Sequence, residues 1–394
     1  MTIALSKTAQ SIPPNVFERM DRTVAQARAR GADVIDLSKG NPDGFPEARI
    51  RAEAKAAVDS PENARYTPFD GKPLFLQAAA AWYAHEHSVA LDPGTQLFAV
   101  EGAVDGLAAA FAVLLDPGDV VAFVDPYYPS YHCMARMLGA EELPLPARAE
   151  LGWLPDLDAV PGETWDRVKL LVLNYPNNPT GAQAPPRFFA RAVELAARHG
   201  FAIVHDFAYA GLGVHENQKS LLAVPGAREV GLEIVSLSKM YAMAGWCAGF
   251  VAGNEQLVAA VKQYHYQMGS MVTSFVQDAG AAALAGDQAF VREQAARYTA
   301  RRAIVAEGLR AAGYNVFASQ GGLYVWAQAP AAMTGDELAA RWLGEAGVAA
   351  LPGSCFGNAG VRYVRLSLLQ SSQRLHEAVA RIGKLSPDLE KVPP

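Results

Sequence analysis

The sequence predicts an α/β protein: a mostly parallel sheet covered by helices on both faces, with a smaller α+β layer beside it. Three observations carry that expectation. Short apolar runs without alternation recur from about residue 95 to 250, and strands apolar on both faces belong to buried parallel sheets. Helical patterns separate those runs, as crossovers between parallel strands require. The last hundred residues change character and mix short strands with helices.

In chain order, DVIDLSKGNPD (33–43) is expected to complete the smaller layer. TQLFAV (95–100) reads as a strand that enters a helix over GAVDGLAAAFAVLL, and DPGD turns the chain into VVAFVDP. KLLVLNYP (169–176) is a third strand, followed by the helical PPRFFARAVELAARHG. FAIVHDFAY (201–209) and EIVSLSK (233–239) follow as strands, the second ending at Lys239. One long helix over about 280–312 then precedes strands in GYNVFAS, GGLYVWAQ and YVRLSLL, and SPDLEKVPP is expected to fray. The domain division expected is 1–46 joined to the smaller layer, 47–290 as the large domain and 291–394 as the small one.

Composition narrows the function. Of 394 residues 51% are apolar and 19% charged, ample for a large core. A formal charge of −6 disfavours nucleic acid as a partner, and Arg28, Arg30, Arg301 and Arg302 are expected on solvated helix faces. No stretch approaches the ~20 apolar residues of a membrane span, and the N-terminus lacks a secretory pattern. Cys133, Cys247 and Cys355 are far apart with no C-x-x-C spacing, which fits reduced thiols in a cytoplasm. There is no G-x-G-x-x-G after a strand, no Walker loop and no G-x-S-x-G elbow. His85 and His87 stand two apart on a predicted helix and face different ways, so no metal is expected.

What remains is a set of polar residues at the carboxyl ends of strands, where open α/β sheets bind ligands. A partly desolvated Lys239 has a lowered pKa and can form a Schiff base. A buried Asp206 needs a cationic partner, and a protonated pyridine nitrogen would serve. Tyr209 and Asn178 are placed to bond a ring hydroxyl. Singly, each has an ordinary reading: a surface lysine, a cap, core packing, a turn. Together they point to pyridoxal chemistry.

NNPTG, HDFAY, SLSK…AGW…GF and YVRLSL, in that order, resemble the class I/II aminotransferases of pyridoxal phosphate fold type I. The similarity runs over nearly the whole chain, nearest to the alanine and LL-diaminopimelate aminotransferase branch. The resemblance implies a seven-stranded, aspartate aminotransferase-like large domain, a cytoplasmic homodimer with shared active sites, and pyridoxal 5'-phosphate as cofactor. It implies Lys239 as the aldimine lysine and proton carrier, Asp206 at the pyridine nitrogen, and Tyr209 and Asn178 at the ring hydroxyl. Tyr128 would stack on the ring, Arg365 grip the substrate carboxylate with Gly40 beside it, and Tyr66 reach the neighbouring subunit's phosphate. Ser236 and Ser238, with the backbone of Ala103 and Val104, would hold the phosphate. The chain departs from the family there. Ala103 and Val104 replace polar side chains, and Cys247 stands where the family has an arginine. The activity implied is amino transfer from a neutral, alanine-like amino acid to a 2-oxo acid. The alternatives are a lyase acting on a sulfur amino acid and a non-catalytic binding protein.

Overall fold

The computed structural model describes residues 3–213, 220–268 and 271–385; the tail expected to fray lies outside them. The N-terminal segment supplies β1 (Ile35–Asp36). The large sheet is built from β2 (Leu97–Val100), β3 (Val120–Asp125), β4 (Glu141–Arg148), β5 (Leu154–Pro155), β6 (Val168–Asn174), β7 (Ala202–Asp206), β8 (Gly231–Ser236) and β9 (Gly249–Gly253). The C-terminal part contributes β10 (Tyr324–Gln328), β11 (Val348–Ala349), β12 (Leu351–Pro352) and β13 (Tyr363–Ser367).

The large sheet has the order β2-β9-β8-β7-β6-β3-β4-β5. The pairs from β8 through β4 are parallel, and β9 is antiparallel to both neighbours. Seven strands form the body of the sheet, and the two-residue β5 adds an antiparallel edge. The central strands are buried along their whole length, as in VVAFVD of β3 and GLEIVS of β8. That burial explains why they read as continuous apolar runs.

A second core joins both ends of the chain. Ile35 and Leu37 pack with Tyr298, Leu309, Val325, Trp342 and Ile382. β1 pairs in parallel with β11, and β13 lies between β10 and β12. The N-terminal segment therefore completes the smaller layer, as expected.

Four local expectations change. Lys239 lies past β8, on the helical turn Leu237–Met240. The helix expected over 280–312 is two helices, Ser274–Ala285 and Ala289–Ala311. Gln288 breaks them: its amide donates to the carbonyls of Ala283, Leu284 and Gly286, capping the first helix where the second starts. GYNVFAS supplies a single bridge, Val316 to Ala327. Arg301 and Arg302 are buried. Arg301 pairs with Asp43 at 2.8 Å, and Arg302 donates to the Gly322 carbonyl at 2.7 Å. Their acceptors come from distant loops, which helix periodicity cannot foresee.

Among the described residues no helix is long and apolar enough to cross a membrane, and no His, Cys, Asp and Glu cluster could hold a metal. His85 is exposed and His87 buried, so the two do face different ways.

Candidate active site

The carboxyl ends of β3, β6, β7 and β8 open into a cavity of about 330 Å³. Its walls bring together Gly40, Ala103, Val104, Tyr128, Asn178, Asp206, Tyr209, Ser236, Ser238 and Lys239. Two expected residues are not in its lining. Tyr66 is 92% exposed, and Arg365 is fully buried in β13.

The turn after β8 sets the lysine. Ser236 caps it by accepting from the Ser238 amide at 3.2 Å, which aims Lys239 across the cavity to the Gly40 carbonyl at 2.6 Å. A Cβ at residue 40 would meet the Tyr324 hydroxyl at 2.6 Å, so a larger residue there would displace that side chain. Burial, then the charge of Arg365, lowers the Lys239 pKa to about 8. Roughly a tenth of such an amine is unprotonated at pH 7, against less than one in about a thousand for an ordinary lysine. This is how a lysine becomes a nucleophile near neutrality.

Asp206 ends β7 and is buried. It accepts from the Tyr131 hydroxyl at 2.6 Å and the Ala208 amide at 3.2 Å. Burial raises its pKa despite those bonds, and it has no ion-pair partner among the described residues. Asn174 holds the end of the strand by donating to the Asp206 carbonyl at 2.8 Å, and its side-chain oxygen accepts the Asn178 amide at 2.8 Å.

Arg365 is bonded within the protein. One Nη donates to the Asn178 side-chain oxygen at 2.8 Å and the other to the Ser38 carbonyl at 2.7 Å. Its guanidinium lies 4.0 Å from the Tyr324 ring centre and 5.7 Å from that of Phe17. Its Nε is buried without a hydrogen-bond partner. Tyr209 meets Tyr324 hydroxyl to hydroxyl at 3.2 Å, and Tyr128 stacks on Phe17 with ring centres 6.0 Å apart.

Sequence reasoning missed Tyr131, Asn174, Phe17 and Tyr324. Asn174 was in view within LNYPNNPTG as the polar end of a buried strand, and Tyr131 within DPYYPSY, at the start of the helix Ser130–Leu138. Phe17 and Tyr324 carried no local signal.

The chain matches the family "Aminotransferase class I and II" over residues 32–382. It belongs to that family. An LL-diaminopimelate aminotransferase of Nitratidesulfovibrio vulgaris is 38% identical over 383 residues, 97% of this chain and 99% of that protein. The Bacillus subtilis L-glutamine–4-(methylsulfanyl)-2-oxobutanoate aminotransferase is 38% identical over 98% of this chain and 97% of its own length. Among solved structures, substrate-bound BacF of Bacillus subtilis superposes with a TM-score of 0.94 at 32% identity, covering 98% of each chain. Thermus thermophilus aspartate aminotransferase with maleate gives 0.90 at 30% identity, over 98% of this chain and 100% of that one.

This aminotransferase has the fold type I architecture of those enzymes, uses pyridoxal phosphate and transfers amino groups. The residues present fit the cofactor's ring: a buried carboxylate short of a cation, and an amine lowered toward neutrality. At the phosphate the fit rests on backbone N–H groups and serine hydroxyls, beside Ala103 and Val104.

Proposed function

We propose that the aminotransferase takes a neutral, alanine-like amino acid as donor, and that Lys239, Asp206 and Arg365 carry the work. The observation that supports this is the cavity lining. Among the described residues Lys239 is its one cation and Asp206 its one carboxylate, while Phe17, Tyr128 and Tyr324 supply aromatic walls. Arg365 adds one guanidinium behind Tyr324. One arginine matches one carboxylate, and the described lining offers a second substrate carboxylate no further cation.

In this reading Asp206 holds a proton-bearing ring nitrogen, and Tyr131 and Asn174 keep that carboxylate in place. Tyr209 and Asn178 bond the ring hydroxyl, Tyr128 covers the ring face, and Ser236, Ser238 and the N–H groups of Ala103 and Val104 take the phosphate. Bound pyridoxal phosphate supplies the electron sink for the substrate's Cα. Lys239 Nζ carries the proton to and from that carbon. Arg365 and the Gly40 segment orient the α-carboxylate, with the planar fork suited to bidentate contact.

The division at 1–46, 47–290 and 291–394 is our reading of the domains, supported by the core that joins Ile35 and Leu37 to residues 298–382. We also infer a homodimer. Tyr66, Phe69 and Met268 are exposed apolar side chains, which an interface would cover. Tyr66 lies outside its own chain's cavity, free to serve the partner's. Three free cysteines and a charge of −6 support a cytoplasmic protein with no nucleic-acid partner. Nothing observed favours the lyase or the non-catalytic reading.

The test is spectroscopic. Protein mixed with pyridoxal phosphate should gain a visible absorbance that Lys239→Ala abolishes, with at least about a thousandfold loss of transfer. Alanine, methionine and glutamine should bleach it faster than aspartate or glutamate. Equal spectra for wild type and Lys239→Ala would end the reading; faster bleaching by aspartate would end the neutral-donor part.

A further inference from the structure

We infer that the cofactor's phosphate is held in this chain by neutral donors alone, and that Cys247 occupies the position from which a cation would reach it. The inference rests on the reading that the cavity binds pyridoxal phosphate. In that molecule the aldehyde lies opposite the ring nitrogen, and the phosphate arm is next to the aldehyde. With the nitrogen at Asp206 and the aldehyde at Lys239, the phosphate must lie toward Ala103, Val104, Ser236 and Ser238. There the helix Ala103–Leu114 begins, and its first N–H groups have no partner within the helix.

Charged groups stand near that end among the described residues. Glu101 and Asp105 flank the helix start, with Asp105 accepting the Glu101 amide at 2.9 Å. His265, on the helix Glu255–Met268, lies 3.7 Å from Asp105, and burial lowers its pKa against the pull of Asp105 and Glu101. Lys262 on the same helix is turned to Asp70 and the Gly94 carbonyl. Arg136, on the helix Ser130–Leu138, is exposed. Lys239 is committed to the aldehyde.

The sheet sets the chain just past Cys247 beside this end. Gly249 pairs with Ser236, and a Cβ at 249 would sit 2.4 Å from the Val235 carbonyl and 3.3 Å from Gly102 Cα. The backbone at Gly249 is thereby held against the start of the helix. Cys247, two residues earlier, is exposed with φ +52. A thiol brings no positive charge. Without a cation, nothing pulls the phosphate's second ionisation below its free value of about 6, and two nearby carboxylates oppose the second charge.

The test is ³¹P NMR of the loaded enzyme between roughly pH 5 and 8, with dissociation constants from absorbance titration. The wild-type resonance should move with pH, with a midpoint near about 6. Cys247→Arg, and independently Val104→Lys, should hold it at the dianion position and tighten binding roughly tenfold to a hundredfold, the scale of one hydrogen bond to a charged group. Binding that becomes measurable only in those variants supports the inference equally. A wild-type resonance fixed at the dianion position, with affinity unchanged by both substitutions, overturns it. If wild type and both variants all fail to bind pyridoxal phosphate, the cavity reading itself falls, a result distinct from the last.

Discussion

Strands β7 and β8 carry two buried carboxylates, and the protein provides for them in opposite ways. Glu233 is fully buried and accepts from His205 Nδ1 at 2.7 Å, the Leu221 amide at 2.6 Å, the Tyr83 hydroxyl at 2.9 Å and the Ser220 hydroxyl. Burial pushes its pKa up, but His205 and Ser220 outweigh burial and leave it below the ordinary value. Asp206, next to His205 in β7, has Tyr131 and the Ala208 amide, and burial wins. The chain completes the first carboxylate from its own groups. It leaves the second short of a cation, and only the second faces the cavity. A buried charge that its own fold does not satisfy marks where a ligand belongs.

The largest expected effect tests that contrast directly. Glu233→Gln should cost about 3–5 kcal/mol of cofactor-free stability, because it strands donors around a buried pair. Asp206→Asn should cost less than about 1 kcal/mol on that scale, yet slow amino transfer roughly a hundredfold. Urea unfolding of both variants, with half-reaction kinetics, decides it; a larger stability loss at Asp206 than at Glu233 breaks the comparison.

Arg365 sharpens it, being both completed by the chain and left with one unpaired donor. Arg365→Lys keeps the charge but loses the fork. KM for the amino donor should rise about tenfold to a hundredfold while kcat changes less, and steady-state kinetics across donor concentrations would show the split.

The smallest effect comes from Lys239. Its folded pKa of about 8 lies below the unfolded value of 10.5. Between the two, the unfolded chain binds the extra proton, so cofactor-free stability should rise as pH rises, by about 1 kcal/mol per pH unit. Denaturation at a series of pH values should show this slope, and Lys239→Met should remove it. An identical slope in the variant would show that Lys239 is not the group held out of its preferred state.

The sheet was legible because its central strands are buried on both faces and so read as unbroken apolar runs. The short pieces were not. GYNVFAS looks like a strand but finds only one bridging partner, and the break at Gln288 depends on a side chain turning back onto three carbonyls. In the site, Lys239, Asp206, Asn178 and Tyr209 stood out as polar groups at strand ends. Tyr324 and Phe17 did not, since an aromatic residue in a strand or helix carries no mark of the cavity it will face.

Sequence alone picked out the polar groups at strand ends that the fold gathers around one cavity, because residue type and strand-end position are local properties. It also showed that Cys247 carries no charge. Only the tertiary structure decided which groups meet. Arg365 reaches Asn178 across 187 residues and Ser38 across 327, and Gly249, two residues past Cys247, is held near Gly102 through its pairing with Ser236. Such contacts follow from strand order and packing, and neither leaves a trace in any short window of the chain.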